Sequence, residues 1–63
     1  MANLTPKQER FAQLYVEMGN ASEAYRQAYD TSAKAESVHV NASKQLSDAG
    51  VSLRVQELRN ATG

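Results

Sequence analysis

Two helix starts and one helix stop fall within the 25 residues from Thr5 to Tyr29, TPKQERFAQLYVEMGNASEAYRQAY. Thr5-Pro6-Lys7-Gln8 has the form of a capping box. Thr5 takes the N-cap, Pro6 the first helical position, where its missing N–H is no loss, and Gln8 reaches back to the cap. Gly19 suits the left-handed residue that closes a helix. Asn20-Ala21-Ser22-Glu23 follows at once as a second box, with Asn20 as N-cap and Glu23 as the third helical residue. A stop and a start this close leave no room for a flexible loop. The two helices must turn sharply against each other, a corner of the kind found in helix-turn-helix units.

Apolar periodicity extends this pattern into an all-α bundle of about four short helices. The first is expected over Pro6 to Met18, with Phe11, Leu14, Tyr15 and Met18 as its inward stripe, Leu4 packing back onto its first turn, and Lys7, Glu9, Arg10, Gln13 and Glu17 on the wetter sides. The second, about Ala21 to Tyr29, carries Ala21, Ala24, Tyr25, Ala28 and Tyr29 on one face. Its alanines permit close helix approach, and its tyrosines add bulk with a polar tip. Asp30-Thr31-Ser32 breaks the pattern, and Ser32 or a near neighbour is the expected cap of a third helix ending near Leu46–Ser47. Val38, Ala42 and Leu46 form the inner face of that helix. The alternation Val38-His39-Val40 is too short to argue a strand. Asp48 is the expected cap of a fourth helix running to about Arg59, with Val51, Val55 and Leu58 inward, Gly50 awkward in its first turn and Asn60–Gly63 fraying. These inward stripes, from Phe11 to Leu58, make one small shared core in a single domain, residues 1–63.

Composition bounds what such a domain does. There is no cysteine and one histidine, so neither a disulfide nor a zinc site is expected, and no cofactor or metal is implied. The absence of cysteine fits a reducing compartment. No apolar run approaches the roughly 20 residues that span a bilayer, and the beginning of the chain lacks a signal-peptide pattern. A soluble, cytoplasmic protein without a membrane partner is therefore expected. The three glycines stand apart at positions 19, 50 and 63, so they build no phosphate loop. Ser32, Ser37 and Ser43 read as caps and solvent contacts, and a bundle this small has little room for an oriented triad in a dry pocket. The chain is not expected to be an enzyme.

The outward side of the third helix is the best candidate surface. At 3.6 residues per turn, the side opposite Val38, Ala42 and Leu46 carries Ser37, Val40, Lys44 and Ser47, with His39 and Asn41 on the flanks. This pattern suits a major-groove reader: an apolar group meets a thymine methyl, Asn bonds adenine, and Lys reaches guanine or phosphate. The same residues equally describe an ordinary solvated face with one exposed valine. Lys34 and Arg26 are candidate phosphate contacts, and Lys7 and Arg10 are weaker ones. Arg26 also has Glu23 and Asp30 at ion-pairing distance along its own helix. Seven basic and seven acidic residues give a formal net charge of zero, so one copy offers few phosphate contacts. Leu53 points away from the inward stripe of the fourth helix. It reads as a single exposed leucine, or as a contact with another copy or a following domain.

Four segments in this order, LTPKQERF (Leu4–Phe11), GNASEAYRQAY (Gly19–Tyr29), SVHVNASKQL (Ser37–Leu46) and VSLRVQEL (Val51–Leu58), resemble the N-terminal domain of the small terminase subunit of tailed bacteriophages and prophages. The resemblance covers nearly the whole chain. It implies a helix-turn-helix made of the second and third helices, which recognises the packaging-initiation site on double-stranded viral DNA in the bacterial host. It also implies assembly into rings, a homo-oligomer of the full subunit, and transfer of DNA to the terminase large subunit, which supplies ATPase and nuclease. Ser37, Val40, Asn41 and Lys44 then become the groove contacts. Members of that family often carry Asn-Pro ahead of the fourth helix, where this chain has Asp48-Ala49-Gly50. They are usually longer, so the segment is expected to be the N-terminal part of a longer subunit, monomeric on its own. Two other readings fit the residues without the resemblance. One is a helix-turn-helix transcription regulator; the other is a helical interaction module without DNA binding, using Val40 and Leu53.

Overall fold

A computed structural model describes residues 4–31 and 33–62 and contains four helices: α1 (Pro6–Met18), α2 (Ala21–Tyr29), α3 (Ala35–Ser47) and α4 (Ala49–Thr62). Each boundary has a chemical cause. Thr5 and Gln8 form the full capping box, with the Gln8 backbone N–H donating to Thr5 Oγ1 and the Thr5 N–H to Gln8 Oε1, both at 3.1 Å. Gly19 closes α1 at φ 70°, ψ 16°, its N–H donating to the Tyr15 carbonyl at 2.8 Å. Asn20 Oδ1 then accepts from the Glu23 N–H at 3.1 Å. This second box is only half formed, because the Glu23 carboxylate accepts from Gln27 Nε2 at 3.4 Å. Asp30 ends α2 in the left-handed region at φ 48°, a conformation its short polar side chain tolerates.

The connection to α3 begins the helix at a near neighbour of Ser32, but without a side-chain cap. Ser32 lies outside the described residues. The N-cap position belongs to Lys34, whose side chain makes no capping bond. Ahead of it, Thr31 Oγ1 accepts from the Ala33 N–H at 3.1 Å. Asp48 joins α3 to α4 with a single intervening residue. Its N–H donates to the Gln45 carbonyl, while its Oδ1 accepts from the N–H groups of Gly50 at 2.9 Å and Val51 at 3.2 Å. Asp48 thus caps the start of α4 through its own side chain. α4 does not fray near Arg59; it continues through Thr62, since Asn60-Ala61-Thr62 contains no proline or glycine to stop it.

The helices pack in a closed cycle, α1 on α2 and α4, and α3 on α2 and α4. Phe11, Ala12, Ala24, Val38, Ala42 and Val51 are sealed from solvent, and Ala28 and Val55 nearly so. Leu14, Tyr15, Tyr25, Leu46, Leu58 and Leu4 pack around this centre with one side wet. Phe11 anchors the aromatic contacts, with its ring centroid 6.3 Å from Tyr15 and edge-on to Tyr25 at 6.3 Å; Tyr25 stacks on Tyr29 at 4.4 Å. Two assignments of the inward stripe change. Met18 is 39% exposed, because it sits at the last position of α1 with nothing packed beyond it. Ala12 is fully buried, because α4 covers the flank of α1 next to the Phe11 stripe. On that flank Glu9 is half-buried, and Arg54 Nε spans its two carboxylate oxygens at 2.8 and 3.0 Å. The guanidinium beside it holds the Glu9 carboxyl below its ordinary value, with Gln13 Nε2, at 2.7 Å, assisting.

Candidate nucleic-acid interface

α3 is oriented by its buried side. Val38 and Ala42 are buried, and Leu46 lies half-buried at the next step of the same row. The 100° step of the helix then fixes what faces outward. Ser37, His39, Val40, Lys44 and Ser47 are exposed, and Asn41, on the flank, is half-buried. Val40 keeps 46% of its surface accessible, a large apolar group among polar ones.

Lys34, Glu36, Ser37, Val40 and Asn41 together line an open depression of ≈ 380 Å³ along the first turns of α3. Four of the seven residues singled out from sequence therefore share one concave surface. Lys44 continues the Val40 row one turn beyond it, at i+4. His39 lies on the other flank, and Arg26 projects from α2 on the side opposite buried Ala24 and Ala28. Glu36 was not among the expected residues. Its i, i+4 relation to Val40 is legible in the sequence, but an acidic residue in a first turn reads most simply as a helix-dipole partner.

The cations divide into two groups. Lys7 Nζ lies 5.8 Å from the Tyr29 ring centroid, Arg59 packs at 5.6 Å over Tyr15, and Arg54 is held by Glu9 and Glu57. Arg10, Arg26, Lys34 and Lys44 are exposed and form no ion pair among the described residues, so Arg26 pairs with neither Glu23 nor Asp30. Lys34 also stands at the N-terminus of α3, where the first-turn N–H groups have no acceptor within the helix. An ammonium beside these donors is a chemically sound arrangement for an anionic oxygen. Among the described residues no group of His, Asp or Glu is arranged to hold a metal ion, and no helix is long and apolar enough to cross a membrane.

The second concave surface is apolar. Val16 and Leu58, flanked by Gln13 and Glu17, line an open groove of ≈ 220 Å³ between α1 and α4. Leu53, 49% exposed, faces away from the core on α4.

Fold and surface together define a class: a small all-α domain whose third helix is anchored by one apolar row and presents a polar face bordered by unpaired cations. Residues 4–62 match the terminase small subunit family, and the chain belongs to it. It is also 58% identical over 60 residues to an uncharacterized protein of Haemophilus influenzae (strain ATCC 51907 / DSM 11121 / KW20 / Rd), an alignment covering 92% of this chain and 35% of the relative. The chain thus spans about a third of the length of the curated relative it matches. No solved structure matches it.

Proposed function

We propose that this chain is the DNA-binding module of a phage terminase small subunit, recognising the packaging-initiation site on double-stranded DNA and working with the large ATPase/nuclease subunit. In this reading α2 and α3 form the helix-turn-helix and α3 enters the major groove. Family membership supplies the context. The observation that carries the surface assignment is that Lys34, at the N-cap of α3, and Lys44, on its outer face, are free of ion pairs among the described residues, while Lys7, Arg54 and Arg59 are engaged elsewhere. Arg26 on α2 and Arg10 on α1 are likewise exposed and unpaired.

Each residue has a role its chemistry permits. Lys34 and Arg26 take phosphates and set the register, Ser37 and Lys44 take phosphate or base edges, and His39 borders the backbone. Val40 packs on a thymine methyl, and Asn41 bonds an adenine edge. A chain with no net charge and few cations binds weakly as one copy, so useful affinity comes from several copies acting together in the full-length oligomer. The module itself carries no catalysis; cleavage and ATP hydrolysis belong to the large subunit.

Fluorescence anisotropy with a labelled duplex over a range of salt concentrations tests the proposal. Lys34→Ala and Lys44→Ala are each expected to weaken binding and to reduce the salt slope by about one unit. Both variants binding as the parent does, with unchanged slope, would leave a helical interaction module, using exposed Val40 and Leu53, as the better reading.

A further inference from the structure

Glu36 is the unexplained member of the α3 depression. Its carboxylate is exposed and has no hydrogen bond or ion pair among the described residues, yet it lines the same concave wall as Lys34, Ser37, Val40 and Asn41. A carboxylate there works against affinity, since every approaching phosphate is repelled by it. Its position in the first turn favours the α3 dipole, but that benefit is available to an acidic residue anywhere in the turn. It does not require a place in the wall beside Val40. What a carboxylate does offer in a major groove is an acceptor for a base amino group. Cytosine N4 suits it best, because the adenine amino group stands beside the N7 acceptor, which repels a carboxylate.

We infer that Glu36 is a specificity-determining residue of the α3 surface: it accepts from a cytosine amino group in the cognate duplex and penalises binding in any register that sets a phosphate or a carbonyl edge against it. This rests on the DNA-binding reading above and deepens it. The depression then holds three different base preferences on adjacent turns: Glu36 for cytosine, Val40 for a thymine methyl and Asn41 for adenine. Lys34 supplies the compensating phosphate contact at the rim. The cost in affinity is exchanged for discrimination, a familiar device where charge alone would bind every sequence.

Selection from a randomised duplex library with the 63-residue chain and with Glu36→Gln, at low salt, tests it, with helix content checked by circular dichroism. The parent chain is expected to enrich a motif with a fixed C·G pair that becomes degenerate with Glu36→Gln, while the other enriched positions stay. Discrimination at that pair should fall by about fivefold or more. Affinity of Glu36→Gln for a random-sequence duplex should rise. Identical motifs and equal affinities for both proteins overturn the Glu36 assignment and leave DNA binding standing. Failure of both proteins to retain any duplex overturns the inference together with the reading on which it rests.

Discussion

At the scale of single residues, the fold depends on two left-handed positions. Gly19 adopts φ 70° with open space where a Cβ would stand, so only backbone strain opposes a side chain there. That strain is roughly 1–2 kcal/mol, a sizeable share of the roughly 3–9 kcal/mol that holds a domain of this length together. Gly19→Ala is therefore expected to lower the thermal midpoint by several degrees without changing the helices, measured by circular dichroism melting. An unchanged midpoint would mean that the turn relaxes out of the left-handed region. Gly19 and Asn20 were legible in the sequence because each serves a boundary through its own chemistry. Asp30 was not legible as a left-handed cap, since aspartate equally well starts a turn or a helix. Glu36 is ambiguous in the sequence for a similar reason: an acidic residue in a first turn suits the helix dipole whether or not it also lines a concave surface.

At the scale of elements, α3 differs from its neighbours in how it begins. Thr5, Asn20 and Asp48 each place a side-chain oxygen on a first-turn N–H. Lys34 occupies the same position in α3 and has no acceptor to offer. The start of α3 is hard to read for this reason: the residues with capping chemistry, Asp30-Thr31-Ser32, precede Lys34, which has none. Lys34→Asp supplies the missing cap and is expected to stabilise the domain by about 1 kcal/mol. If Lys34 takes a phosphate as proposed, the same change weakens duplex binding sharply, since it puts an anion in place of the cation. Urea denaturation and anisotropy on the same samples check both halves. Lower stability would contradict the capping account, and retained DNA affinity would remove Lys34 from the interface. The far end of α4 shows the converse: the weak helix formers Asn60 and Thr62 after Arg59 suggest fraying, but with no proline or glycine to stop it the helix continues to Thr62.

At the scale of the whole molecule, the four helices close into a cycle in which each packs mainly on two others. A single apolar stripe is what periodicity detects, so the Phe11 row was legible while Ala12, buried under α4, was not. The Glu9–Arg54 bridge was hidden for the same reason, since its partners lie 45 residues apart. It also makes stability depend on pH. Arg54 lowers the Glu9 pKa beneath its ordinary 4.5, so the unfolded chain binds the proton more readily. The bridge contributes fully above pH 4.5 and is lost as pH falls through the lower folded value. The stability advantage of the parent over Glu9→Gln, measured by urea denaturation, is expected to be largest near neutrality and to vanish in strong acid. An advantage independent of pH would show that the charge plays no part.

The direction in which α3 faces follows from this cycle, because α2 and α4 cover its Val38–Ala42 row and leave the opposite row to solvent. The anchoring row was legible in the sequence; what the outer row binds was not, because exposed polar residues have no packing partner to declare their purpose. Amide shifts recorded while duplex DNA is titrated into the isotope-labelled chain address that question directly. Perturbations centred on Lys34, Ser37, Val40, Asn41 and Lys44, with Arg26 alongside, are the expected result. Shifts confined to the α1–α4 groove, or absent from Lys34–Ser47, would contradict the assignment of α3 as the DNA-reading helix.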